Sequence, residues 1–270
     1  TTAYEYLESR YGTGIRIYAA LYSLLGQLLR LAIILYLVVL PLSAMLHISE
    51  GTAIIAFGVI TCFYTVFGGI EAVVWTDVVQ TFILLGGGLL CLGLMVWDLP
   101  GGFGQVIEIG TEFNKFSLGP MSFALNDRTF LVTLLVGIVG FMTEYSSNQN
   151  VIQRYIASKS LREARKATLI CMFMSVPTWM SFFFLGSCMF AFYHVFPEPA
   201  VAAMAADEVL PHFILTRTPP FVGGTIIAAC LAAAMSSQSS SINAISTVVT
   251  IDFVKRFGRP RSDAQYLKIA

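Results

Sequence analysis

Hydrophobic and polar residues alternate along this chain in long blocks rather than with a short period. Six apolar runs cover roughly residues 16–46, 52–68, 76–97, 129–149, 167–195 and 222–253. A helix needs about 20 apolar residues to cross the hydrocarbon core of a bilayer, and most of the runs reach or exceed that; the second is short and the last long. None shows the period-two alternation of a half-buried strand, and an open sheet edge cannot sit in lipid. The pattern predicts an all-α membrane protein with about six transmembrane helices in a single domain over 1–270. Between the runs, GGFGQVIEIGTEF in 98–128 and AVAAMAADEVLPHFI in 196–221 each predict a short surface helix, the second ending near Pro211.

Composition agrees. The chain is 56% hydrophobic and 12% charged, about half the charged fraction usual for a soluble domain. Its formal net charge is zero, so no overall field draws it to nucleic acid. Cys62, Cys91, Cys171, Cys188 and Cys230 all fall inside apolar runs and read as small packing residues. The sequence starts at Thr1 on EYLESRYG, taken as an amphipathic loop, and the chain is expected to be a fragment of a longer protein.

Lysine and arginine placement gives orientation. One side carries Arg10 and Arg16, five cations from Arg154 to Lys166, and five from Lys255 to Lys268; the other carries Lys115, Arg128 and Arg217. The richer side is the cytoplasmic one, which puts both ends of the chain inside.

Polar groups at membrane depth carry the functional signal. Residues 228–253 read AACLAAAMSSQSSSINAISTVVTIDF. Ala233, Ser236, Ser237 and Ser240 fall at i, i+3, i+4 and i+7 on one helical stripe, with Ser239 beside it. Hard oxygen donors gathered on an apolar helix suit a small dehydrated cation; close helix packing through small residues is the competing explanation. Asp77, in GGIEAVVWTDVVQ, is expected in the first turn of the third span, after a turn at Gly68 and Gly69. There it either complements the helix dipole or serves as a cation ligand. Arg30 lies mid-span, where an uncompensated charge costs at least about 2.5 kcal/mol. It either pairs with Glu144 or binds a solute carboxylate through its planar fork. The dense polar run after Gly140 predicts a broken or water-lined helix, with Thr143, Glu144, Ser147 and Asn148 near a solute pathway, or else the end of the fourth span at the interface.

EYLESRYG (5–12), GGIEAVVWTDVVQ (68–80), NQNVIQRYIASKS (148–160) and AAAMSSQSSSINA (232–244), followed by Asp252, together resemble the sodium/solute symporter family of sodium-coupled sugar, proline, iodide and sialic acid transporters. The resemblance implies a five-plus-five inverted-repeat fold, of which this chain would cover the third to eighth core helices. It implies one sodium site at Ala233, Ser236 and Ser237, and a further one at Asp77, Ser236, Ser239 and Ser240. By the same resemblance Arg30 meets a solute carboxylate. Function is then sodium-driven symport by alternating access, without chemistry on the solute. The solute would be a small organic anion such as sialic acid, another acidic sugar or a monocarboxylate. A neutral sugar or amino acid, or a transporter-like membrane sensor, is the alternative.

Overall fold

The computed structural model describes residues 2–262, 265, 266 and 269, with the backbone alone for Ala44 and Met45. Lys268, counted above among the cytoplasmic cations, lies outside the described residues. Every regular element among them is helical: α1 (Ala3–Tyr11), α2 (Thr13–Leu46), α3 (Glu50–Asp98), α4 (Gly102–Glu112), α5 (Phe130–Ser147), α6 (Gln149–Ile156), α7 (Leu161–Val195), α8 (Pro199–Ala203), α9 (Val209–Arg217) and α10 (Pro220–Val248). A π-helical segment, Val249–Val254, and the short α11 (Lys255–Phe257) prolong α10. EYLESRYG is therefore helix α1, not a loop.

Five of these helices are long and apolar enough to cross a membrane. Six spans were expected, and the difference lies in α3. Its 49 residues contain a break at Gly69, with φ 57 and ψ −162, a conformation essentially reserved for glycine. Tyr64 bonds the Met235 carbonyl before the break, and Asp77 bonds Ser236 after it. Thirteen residues of straight helix would separate two such anchors by about 20 Å. The chain thus reverses at Gly69, and α3 supplies both the second and third spans. Asp77 lies more than two turns beyond the reversal, too far for the dipole role of a first-turn carboxylate.

Helix α10 packs along both halves of α3. A Cβ on Gly87 would lie 2.3 Å from that of Ala229, so the missing side chain sets the approach of the two helices. One core, including Cys91, Met95, Val106, Cys188, Phe192, Phe213 and Ile226, joins α3, α4, α7, α9 and α10. All five cysteines are free thiols. Large apolar side chains elsewhere face outward, among them Phe82, Phe173 and Phe183, and α5 has no buried residue. Water cannot be their solvent at this density.

Capping follows the sequence. The Ser160 hydroxyl accepts from the Glu163 amide and starts α7. The connection over 196–221 forms two helices, α8 and α9. Pro211 does not end α9; it sits in the first turn, where its missing N–H costs nothing. There His212 and Arg217 meet Glu198 at 3.1 and 3.3 Å. The bond from His212, reinforced by Arg217, holds the Glu198 carboxyl below the usual carboxylate range.

Candidate ion and solute site

Two polar constellations are held inside this apolar frame. The first forms where α10 crosses the second half of α3. Ser236 Oγ donates to Asp77 Oδ1 at 2.6 Å, and Ser240 Oγ approaches Oδ2 at 3.5 Å. Ser239 is fully buried beside them, but its hydroxyl donates to the Ser236 carbonyl at 3.1 Å rather than to Asp77. Ala233 and Ser237 are half-buried one turn and one residue from this group.

Sequence reasoning missed the fourth member of the group. Arg154 Nη2 lies 2.5 Å from Asp77 Oδ2 and donates to Ser240 Oγ at 2.9 Å. A cation in the loop-like stretch NVIQRYIASKS resembles any positive-inside anchor, so its charge alone gave no signal. Gln153, one residue earlier, donates to Thr247 Oγ1 at 2.6 Å and to the Asn243 carbonyl at 3.3 Å, which fixes α6 along α10.

The second constellation is a cavity of about 380 Å³ between α1, α2 and α5. It gathers Arg30, Thr143, Glu144, Ser147 and Asn148, all expected near a solute, together with Gln27. Tyr4, Tyr18 and Tyr22 add aromatic wall. Asn148 separates α5 from α6 and organises the polar floor. Its side chain caps α6 by accepting from the Asn150 amide at 3.0 Å. It accepts from Gln27 Nε2 at 3.2 Å and donates to Glu144 Oε2 at 2.8 Å. The helix stops at Ser147 and restarts at Gln149, a break that fits a broken helix and the end of the fourth span alike. Among the described residues no ion pair joins Arg30 to Glu144: Asn148 donates to one carboxylate oxygen, and Arg30 is an exposed residue that lines the cavity.

A third group lies beyond both. Arg16, counted from sequence as a surface cation, is 6% exposed. It meets Asp252 Oδ1 and Glu8 Oε2, each at 2.6 Å. Thr2 also donates to Asp252 Oδ1 at 2.9 Å. Arg256 donates to Glu8 Oε2 at 2.9 Å and closes the network. Arg16, with Thr13 beside it, holds the Glu8 carboxyl below its ordinary range against the opposing effect of burial.

Long apolar helices that enclose hydroxyls, carboxylates and guanidinium groups define a polytopic integral membrane protein with interior polar sites. The chain belongs to the sodium:solute symporter family, whose sequence profile matches residues 1–269. It is 35% identical to the sodium/sialic acid symporter SiaT of Proteus mirabilis, over all of this chain and 55% of that protein. It is 31% identical to the sodium/sialic acid symporter NanT of Aliivibrio fischeri, over all of this chain and 54% of that one. The human sodium/iodide cotransporter is 30% identical over 94% of this chain and 40% of its own length. A solved structure of a Na+-coupled sialic acid symporter, substrate-bound and outward-open, superposes with a TM-score of 0.94 at 33% identity, covering 99% of this chain and 57% of that one. The chain thus spans about half the length of the curated relatives it matches.

Proposed function

We propose that this chain is the central part of a sodium-coupled symporter for a small organic anion, covering the third to eighth core helices of the inverted-repeat fold. The observation that carries the reading is the convergence of Asp77 with Ser236 and Ser240 across α3 and α10. A carboxylate and hydroxyls inside an apolar bundle supply hard oxygen ligands for sodium. Ala233, Ser236 and Ser237 serve a sodium site completed by carbonyls from outside this chain. Asp77, Ser236, Ser239 and Ser240 serve a second. Ser239 joins it by turning its hydroxyl from the Ser236 carbonyl, a rotation about one bond.

The solute occupies the cavity of Arg30, Thr143, Glu144 and Asn148. Arg30, free of any carboxylate there, offers a bidentate fork to an acidic sugar or a monocarboxylate. Sialic acid is favoured by the similarity to SiaT, NanT and the superposing sialic acid symporter. Glu144 in the same cavity supports a second reading, a neutral or zwitterionic solute, because it balances Arg30.

Sodium binding favours the state that accepts solute, and sodium release inward lets the solute leave. Each charge crossing the membrane contributes about 2.3 kcal/mol per 100 mV, enough to drive accumulation. The membrane is the cytoplasmic one, with both ends of the chain inside. The test is uptake by the full-length protein in proteoliposomes, with and without an inward sodium gradient. Sialic acid, a monocarboxylate, a neutral sugar and proline are compared. Sodium-dependent uptake of acids that Arg30→Ala abolishes is expected. Uptake indifferent to sodium would overturn the reading, and Arg30→Ala with undiminished acid uptake would overturn the role of Arg30.

A further inference from the structure

Helix α6 touches both proposed sites. Its N-terminal cap, Asn148, is the floor of the solute cavity, bonded to Gln27 and Glu144. Two turns on, Arg154 reaches the ion constellation. The guanidinium does not merely lie nearby. One nitrogen, Nη2, contacts both Asp77 Oδ2 at 2.5 Å and Ser240 Oγ at 2.9 Å. Those two oxygens are among the ligands expected of the second sodium.

A carboxylate oxygen this close to one cation cannot take a second at full strength, because two positive charges a few ångströms apart repel. Ser240 meets the same limit: with an N–H pointing at its oxygen, it offers less lone-pair density to a metal ion. The Arg154 side chain is 43% exposed and Asp77 15%. The arginine therefore has water to retreat into, while the carboxylate has little alternative solvation.

We propose that Arg154 is a tethered cation that occupies the Asp77–Ser240 ion site when sodium is absent. Sodium entry displaces it, and its release frees the C-terminal end of α6 from α3 and α10. Gln153 still holds the helix to α10, so the motion is a pivot of a short helix rather than its departure. The pivot acts on Asn148 at the other end and thereby on the hydrogen bonds that shape the solute cavity. Arg154 is a positioning residue: it binds neither solute nor ion, and it links the occupancy of one site to the geometry of the other. This inference rests on the assignment of Asp77 and Ser240 to a sodium site.

The experiment measures sodium-dependent solute uptake by the full-length protein for the wild type, Asp77→Asn, Arg154→Gln and Arg154→Lys. An exposed ion pair of this kind shifts an equilibrium by roughly two- to fivefold. Arg154→Gln is therefore expected to lower the half-saturating sodium concentration by about that factor and to flatten the dependence of solute affinity on sodium. Arg154→Lys, which keeps the charge, should stay near the wild type in both. An unchanged or raised half-saturating sodium in Arg154→Gln overturns the tether. Asp77→Asn separates the two ideas. If it leaves the sodium dependence untouched, the ion site itself is misassigned. If it raises the requirement while Arg154→Gln does not lower it, only the tether fails. A measurement on the wild type needs no variant to fold. Amide exchange over 149–156 should speed up when sodium replaces choline, and exchange unaffected by sodium overturns the proposal.

Discussion

Asp77 shows how one side chain changes meaning with its surroundings. In sequence it is a carboxylate eight residues after a pair of glycines, read equally as a helix start. In the fold it lies past a chain reversal and faces serines from α10. Its partnership with the serines was legible only through the family resemblance; the residues alone left a helix-start role equally open. Arg154 was not legible, since a cation flanked by polar residues looks solvated whether or not it is. Arg30 lay between these cases: its depth signalled a role, but only the Asn148–Glu144 bond decided against an ion pair. Gly69 gives a direct test at this scale. Its φ of 57 with ψ −162 is strained for any side chain, yet among the described residues none beyond its chain neighbours lies within 4 Å of where a Cβ would stand. Gly69→Ala should therefore cost about 1–3 kcal/mol from backbone conformation alone. Thermal unfolding in detergent would read this, and an unchanged Tm would refute it.

At the level of helices, block length predicted the elements well and their boundaries poorly. The second and third spans are the two halves of α3, divided where Gly69 leaves helical geometry. Polar density marked the region of Asn148 without saying whether the span breaks or ends there; the Asn148 cap starts α6, its side chain replacing a lost backbone partner. The short helix over 209–217 passed through a proline that was expected to end it. Proline is harmless in a first turn, and the sequence alone does not say where that turn falls. Gly87 sets the α3–α10 contact that brings Asp77 to the serines. Gly87→Ala should push the helices apart, costing about 1–3 kcal/mol, and should raise the sodium requirement of uptake. Combining it with Ala229→Gly should restore both, because the two Cβ positions compete for one space. Failure of the double variant to recover would show that the contact is not what places Asp77.

Over the whole molecule, the two sites lie at opposite ends of α6, and a buried ionic network ties α1 and α2 to the π-helical end of α10. The sequence suggested neither arrangement. Arg16 and Asp252 are 236 residues apart, and burial of a charged pair has no local signature. Arg16→Met leaves Asp252, 1% exposed, without its cation and should cost about 3–5 kcal/mol. Adding Asp252→Leu should recover much of that loss, since an apolar pair often replaces a buried ionic one at little cost. Unfolding of the two variants to equal extents would mean the network is not a coupled unit.

The central claim is that Asp77 and the α10 serines hold sodium. Direct binding of radioactive sodium to the purified full-length protein tests it without depending on the identity of the solute. The account predicts saturable binding by the wild type, reduced stoichiometry or a many-fold weaker affinity in Asp77→Asn, and further loss when Ser236→Ala is added. Binding by the double variant that matches the wild type in both amount and affinity would contradict it.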